Sequence, residues 1–119
     1  MSVTIYHNPR CSKSRKTLEI IAESGTGHEI VLYLDDTPDA VTILDIAAKL
    51  GVGVAEILRR GETEFKEADD LPELSDDAAL ADWLTQHPIV IERPIVVNRE
   101  SGVAVIGRPP ENVEALLDE

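Results

Sequence analysis

The sequence contains very few cysteines and aromatic residues: its 119 residues include one cysteine, one tryptophan, one phenylalanine and two tyrosines. A single thiol cannot close an intramolecular disulfide, which excludes a small secreted domain held together by disulfides. With so few aromatic side chains, the core must be built from isoleucine, valine, leucine and alanine. A chain of this length, 43% hydrophobic, can bury one core, so we expect a single domain over residues 1–119.

Metal-site spacing and long apolar segments are also missing. The three histidines, His7, His28 and His87, lie far apart in the sequence, so the pattern predicts no metal site. No apolar run approaches the roughly 20 residues that span a bilayer, and the N-terminus lacks the charged and apolar regions of a signal peptide. We therefore expect a soluble cytoplasmic protein that does not associate with membranes.

Positive charge is scarce, and the formal net charge is −12. Such a chain repels nucleic acid and anionic membrane surfaces, so neither is an expected partner. Seven of the eleven cationic residues are arginines, the side chain best suited to bidentate recognition of oxyanions. These arginines are Arg10, Arg15, Arg59, Arg60, Arg93, Arg99 and Arg108.

Strand-like and helix-like patterns alternate along the chain, separated by glycine, proline and other turn residues. Glycine and proline also mark where several helices should begin or end. The expected elements are a strand at 3–6, a helix from Ser12 or Ser14 to 24 with a serine N-cap, a strand at 28–34, a helix from an N-cap at Thr37 to Gly51, short helices at 53–60 and 65–71, a helix from 75 to 87, a strand after Pro94, a hairpin turn at 99–102, a strand at 103–106 and a helix from Pro109 to about 117.

This order of elements predicts an α/β fold with a thioredoxin-like plan. The first two strands are joined through a helix and should pair in parallel, while the strands joined by the hairpin at Gly102 should be antiparallel. The result is a mixed four-stranded sheet flanked by helices, with a helical insertion between the second and third strands.

The single cysteine, Cys11, falls in the loop between the first strand and the first helix, beside the N-terminus of that helix. Backbone N–H groups and the positive end of the helix dipole favour a thiolate at this place. Three nearby cations, Arg10, Lys13 and Arg15, should reinforce the effect. We therefore interpret Cys11 as an activated nucleophile.

The spacing around Cys11 excludes two common cysteine architectures. A dithiol oxidoreductase needs a second cysteine at position 14, which is Ser14, and a phosphatase-like loop needs an arginine at position 17, which is Thr17. A lone thiol of this kind must be resolved by an external thiol. Arginines from elsewhere in the chain would have to form any anion cradle.

Separated motifs in this sequence resemble those of the glutaredoxin-coupled arsenate reductase family. The resemblance extends over almost the whole chain, and the combination of motifs is highly specific. The motifs are IYHNPRCSKSR at 5–15, His87-Pro88, ERPIVV at 92–97 and Gly107-Arg108-Pro109.

The resemblance implies that Cys11 attacks arsenate and that three arginines, Arg59, Arg93 and Arg108, hold the oxygens of the substrate. Both Arg93 and Arg108 stand directly before a proline. An alternative interpretation of Arg59 is that it complements the negative pole of a helix that ends there.

The remaining site residues implied by the resemblance support the cysteine. His7 matches the histidine expected to lower the thiol pKa, and Ser14 is placed to hydrogen-bond the sulfur, with Asn8 as a further supporting residue. Pro94 matches the position where thioredoxin-like folds have a cis proline facing the active cysteine.

The implied activity is the reduction of arsenate, or of a similar oxyanion, with glutathione as co-substrate and glutaredoxin as partner. We expect no bound cofactor and a monomer. Two alternatives remain open at this point. One is an Spx-like regulator that binds RNA polymerase, although such regulators commonly carry a C-x-x-C switch that Ser14 removes; the other is a monothiol glutaredoxin-like deglutathionylase, which would not require three converging arginines.

Overall fold

The computed structural model describes residues 2–118. The chain forms two compact units: one runs to Asp36 and resumes at Arg93, and the other covers Thr37–Glu92. The strands are β1 (Ser2–Tyr6), β2 (Gly27–Val31), β3 (Ile95–Asn98) and β4 (Ala104–Ile106), and the helices are α1 (Ser12–Glu23), α2 (Ala40–Leu50), α3 (Thr63–Lys66), α4 (Asp77–Gln86) and α5 (Asn112–Leu117). Two short 3₁₀ helices cover Val54–Ile57 and Pro88–Val90. The single domain over residues 1–119 stays a prediction.

All four strands belong to the first unit and form one sheet in the order β2-β1-β3-β4. β1 and β2 are parallel, whereas β1 with β3 and β3 with β4 are antiparallel. Ile5 lies opposite Ile30 on one side and Val96 on the other. The predicted mixed four-stranded sheet is confirmed, and its parallel pair requires the crossover that α1 supplies.

The core of the first unit is aliphatic, as predicted. Helices α1 and α5 both pack against the face of the sheet that carries alternate residues of β1 and the centre of β3. Full burial of each such side chain contributes about 1.5–3 kcal/mol. The buried cluster comprises Val3, Ile5, Ile21, Val96, Val113 and Leu116.

Two helices have N-cap residues other than those predicted, although α1 begins at Ser12, one of its two predicted starts. The N-cap of α1 is Cys11, with extended backbone, and neither Ser12 nor Ser14 takes that place. The N-cap of α2 is Asp39, whose carboxylate accepts a hydrogen bond from the N–H of Thr42 at 2.8 Å, so the prediction of Thr37 was wrong. A carboxylate is a stronger cap than a threonine hydroxyl.

Three other elements are shorter than predicted. β2 ends at Val31 because the chain then turns, with the N–H groups of Asp35 and Asp36 both bonded to the carbonyl of Leu32. The helix expected at 53–60 is a 3₁₀ segment of four residues, and the one expected at 65–71 begins and ends earlier as α3.

The second unit is helical. α2 packs on α4 and the first 3₁₀ segment, with Ile43, Ile46, Leu80 and Leu84 in its interior. Within residues 2–118, each helix is too short or too polar to cross a membrane.

Candidate active site

Cys11 lies at the start of α1, where the turn after β1 meets the helix. The N–H of Cys11 donates to the carbonyl of Asn8 at 3.0 Å, and its carbonyl accepts the N–H of Arg15 at 3.0 Å. The side chain is partly exposed. A nucleophile here is therefore held by a rigid backbone and is open to an incoming molecule.

The guanidinium of Arg108 contacts the sulfur directly. Its Nη2 donates to Sγ of Cys11 at 3.2 Å, while its Nε donates to the carbonyl of Arg93 at 2.7 Å. The two hydrogen bonds come from two nitrogens of one planar group, so the orientation of the guanidinium is fixed. Arg108 thus provides a charge and a directed donor at the sulfur.

The surroundings of Cys11 favour the thiolate. Burial raises the pKa of the thiol, but the backbone N–H of Ser14, the charge of Arg108, the backbone N–H of Lys13 and the Arg93 side chain lower the pKa by more. Although the sulfur makes no capping hydrogen bond of conventional geometry, these dipoles lie close enough to act on its charge. The net pKa is below the ordinary value of a cysteine, as expected at a helix N-terminus.

Arg93 and Pro94 lead into β3 beside the cysteine. The Arg93–Pro94 peptide bond is cis, as the sequence resemblance implied, and the Arg108–Pro109 bond is cis as well. The carbonyl of Pro94 accepts the N–H of Gly107 at 2.9 Å. Arg93 itself is buried, with 8% exposure, so a charged group is kept inside the protein next to the sulfur of Cys11.

His7, Asn8 and Ser14 form a buried network behind the sulfur. Nδ1 of His7 and Oγ of Ser14 are 2.6 Å apart, and the N–H of Asn8 donates to the same hydroxyl at 3.1 Å. The side-chain oxygen of Asn8 in turn accepts the N–H of Arg10 at 3.0 Å. The Ser14 hydroxyl, which the resemblance placed against the sulfur, is therefore directed to His7, and it is the N–H of Ser14 that acts on the thiol.

Burial lowers the pKa of His7, and the positive charge of Arg15 lowers it further. A histidine with a depressed pKa binds its proton more weakly in the folded state than in the unfolded state. Its contribution to stability is therefore fully present above the ordinary histidine pKa of about 6.5 and is lost as the pH falls below it.

We expect a His7→Asn variant to lose part of this pH dependence. Its amide can still reach the Ser14 hydroxyl but does not titrate. Urea unfolding at a series of pH values from about 5 to 8 measures the free energy of unfolding. The wild-type value should fall more steeply on acidification than that of H7N, and equal slopes would contradict the assignment to His7.

Gly107 allows three segments to meet next to the cysteine. A methyl group at this position would lie 2.6 Å from Oγ1 of Thr17 on α1 and 2.7 Å from Cγ of Pro94. Thr17 is fully buried and donates to the carbonyl of Lys13 at 2.8 Å, and the proline ring is stiff, so neither neighbour can easily move. Only glycine fits where Arg108 leaves the sheet.

We expect Gly107→Ala to destabilise the fold by about 1–3 kcal/mol through overpacking and to raise the pKa of Cys11 by displacing Arg108. Adding Thr17→Ala should recover part of the stability, because that removes one of the two closest contacts. Gly61→Ala is the matched control, since a methyl there meets nothing within 4 Å. A G107A variant as stable as G61A in urea unfolding would show that the contact is not restrictive.

Arg59 belongs to the second unit, where two carboxylates hold it. Its Nη1 donates to Oε1 of Glu92 at 3.0 Å, and its Nε lies 3.3 Å from Oε1 of Glu62. The N–H of Arg59 also donates to the carbonyl of Val90 at 2.7 Å, next to an isolated bridge between Leu58 and Ile91. Arg59 lies two residues beyond the end of the first 3₁₀ helix, outside its last turn, and its guanidinium binds two carboxylates, which does not support the interpretation that it complements a helix end.

Sequence reasoning assigned no role to Gly107, Thr17 or Asn112, the last of which donates hydrogen bonds to the carbonyls of Ile106 and Arg108. Gly107 was noted only as part of a motif with Arg108. Neither the close approach of neighbouring segments at Gly107 nor the two hydrogen bonds of the Asn112 amide to backbone carbonyls produces a local pattern in the sequence. The charge at the sulfur comes from Arg108, 97 residues further along the chain.

Comparisons with known proteins agree on one family. The model of the ArsC family matches residues 6–116. The chain is 44% identical over 117 residues to an arsenate reductase of Neisseria meningitidis serogroup A, covering 97% of both proteins. It is 46% identical over 112 residues to a protein of Escherichia coli K12 named as uncharacterized, YfgD, covering 93% of this chain and 92% of that protein.

A solved structure is also similar. The arsenate reductase from Vibrio cholerae superposes with a TM-score of 0.85 at 39% sequence identity, and 97% of each chain is covered. The thioredoxin-like α/β fold predicted from the sequence is confirmed by this similarity.

Proposed function

Because the chain belongs to the ArsC family, we propose that it is an arsenate reductase in which Cys11 attacks arsenate and external glutathione and glutaredoxin complete the reduction. The observation that carries this function is the hydrogen bond of 3.2 Å from Arg108 to the sulfur of a cysteine with a lowered pKa. Proteins of similar sequence and structure are named arsenate reductases.

The first step is a displacement at arsenic. The Cys11 thiolate donates its electron pair to arsenic, a sulfur–arsenic bond forms, and one arsenate oxygen leaves with protons from solvent as water. Arsenate is an anion and the whole chain is strongly acidic, so a thiolate can approach the substrate only where cations neutralise its oxygens. Arg93 and Arg108 supply that charge at the sulfur.

The second step must use an external thiol, because the sequence has one cysteine. The glutathione sulfur attacks Sγ of Cys11, the sulfur–arsenic bond breaks, and its electron pair stays on arsenic, which leaves as arsenite. Cys11 is then a mixed disulfide with glutathione. A glutaredoxin thiolate takes over the glutathione and restores the Cys11 thiolate.

The role of Arg59 as the third arginine that binds arsenate remains a prediction from the resemblance. Its guanidinium is compensated by Glu62 and Glu92, so any oxyanion that it binds must compete with these carboxylates. We further expect the chain to work as a monomer in the cytoplasm, where glutathione keeps thiols reduced.

The test is a coupled assay with the purified chain, glutathione, glutaredoxin, glutathione reductase and NADPH. We expect NADPH oxidation that depends on arsenate and stops when either the chain or glutaredoxin is omitted. Phosphate, an anion of the same shape that thiols do not reduce, should not replace arsenate. Absence of arsenate-dependent oxidation from a chain whose Cys11 still alkylates rapidly at neutral pH would overturn the proposed function. Oxidation driven by a glutathionylated peptide in the absence of both arsenate and glutaredoxin, and lost when the chain is omitted, would indicate a deglutathionylase instead.

A further inference from the structure

Hydrogen bonds hold both the side chain and the backbone of Arg108. Its guanidinium is oriented by the carbonyl of Arg93, at 2.7 Å from Nε. Its backbone is contacted by Asn112, whose Nδ2 donates to the carbonyl of Arg108 at 3.1 Å and to the carbonyl of Ile106 at 3.2 Å. The two acceptors are the carbonyls on either side of Gly107, in the segment that leaves β4 and carries Arg108 to the sulfur.

The chemistry of Asn112 suits this place. Both partners are carbonyl oxygens, and the amide NH₂ group has two donors and can satisfy both. Asn112 is also the first residue of α5, and the next residue, Val113, is fully buried in the core. The amide therefore connects the core of the first unit to the segment that carries Arg108.

We propose that Asn112 is a positioning residue that fixes the backbone of Arg108 so that its guanidinium meets the Cys11 sulfur. This deepens the proposed function, because Arg108 is part of the arsenate site, but the geometry at the sulfur exists without substrate. Asn112 itself does not contact the sulfur, and its effect on Cys11 passes through Arg108.

The test measures the Cys11 thiol before any activity. The chain has one cysteine, so the thiolate absorbance near 240 nm, followed against pH, reports on Cys11 alone. We expect Asn112→Ala to raise the apparent pKa of the thiol by about 0.5–1 unit and to lower arsenate kcat/KM roughly 3- to 10-fold, the range expected for hydrogen bonds worth about 1 kcal/mol. Asn112→Ser keeps a polar side chain in the first turn of α5, but its hydroxyl has one donor hydrogen and cannot bond both carbonyls. It provides the same measurement if the alanine variant does not fold.

Asn98 offers a matched control. Its side-chain oxygen also makes two hydrogen bonds to backbone groups, accepting from Glu100 at 2.9 Å and Ser101 at 3.2 Å in the hairpin turn. Asn98→Ala should reduce stability in urea unfolding but leave the thiol pKa at the wild-type value.

A double-variant comparison decides whether Asn112 acts through Arg108. In an Arg108→Ala background, adding N112A should cause no further rise in the thiol pKa. An N112A variant with a wild-type thiol pKa, or a shift that persists in the R108A background, would overturn the inference. Because this readout needs no arsenate, it can succeed or fail independently of the proposed function.

Discussion

A Cys11→Ser variant is expected to lose arsenate-dependent NADPH oxidation to the background rate of the coupled assay, a decrease of at least about 10³-fold. A serine hydroxyl does not ionise at neutral pH, so the attacking anion is lost even though Arg108 remains. An oxygen–arsenic adduct would also give glutathione no sulfur to attack. Since the sequence contains one cysteine, no other residue of the chain can replace it.

The loss should not reflect unfolding. Cys11 is partly exposed and lies outside the aliphatic core, so the C11S variant should unfold in urea close to the wild-type midpoint. Ser12→Ala, which changes the neighbouring exposed residue, should keep most of the activity. A C11S variant with more than about a tenth of the wild-type rate would show that reduction takes place without the thiolate, against what nucleophilic catalysis requires.

The β1-α1-β2 segment and the hairpin could be predicted because short-range patterns determine them. A buried β-branched run, a turn with proline and a glycine after an amphipathic stretch are local features. The hairpin turn is closed by Gly102, whose φ of +74° suits glycine. The second unit was harder to predict, because its two 3₁₀ helices and the four-residue α3 are too short to show a periodicity.

The location of the nucleophile was predictable for the same local reason, since Cys11 follows a strand and precedes a helix. The hydrogen-bond partners of the side chains around Cys11 were not predictable. Ser14 could have bonded the sulfur, but His7 and Asn8 use its hydroxyl, and such a choice depends on which buried polar groups need a partner. The cation at the sulfur is Arg108, which the antiparallel pairing of β3 and β4 brings back toward β1.

Replacing Arg108 should have the second largest effect. Arg108→Ala removes both the charge and the donor at the sulfur, so the pKa of Cys11 should rise, and arsenate kcat/KM should fall about 10²- to 10³-fold, as when one preorganised donor is removed from a reacting anion. Arg108→Lys restores the charge. A lysine ammonium has one nitrogen and cannot reproduce the two donors that Arg108 directs at the carbonyl of Arg93 and at the sulfur, so we expect R108K to recover part of the thiol pKa shift but little of the activity.

Arg99→Ala separates this local effect from the change in net charge. Arg99 is exposed and follows β3, and its N–H donates to the carbonyl of Ser2. Removing its side chain changes the overall charge of an already acidic chain by the same amount as R108A, yet the thiol pKa and kcat/KM should stay close to wild type because exposed charges at a distance are screened. If R99A and R108A raised the thiol pKa equally, the long-range field of the protein, and not the hydrogen bond of 3.2 Å, would be what lowers the pKa of Cys11.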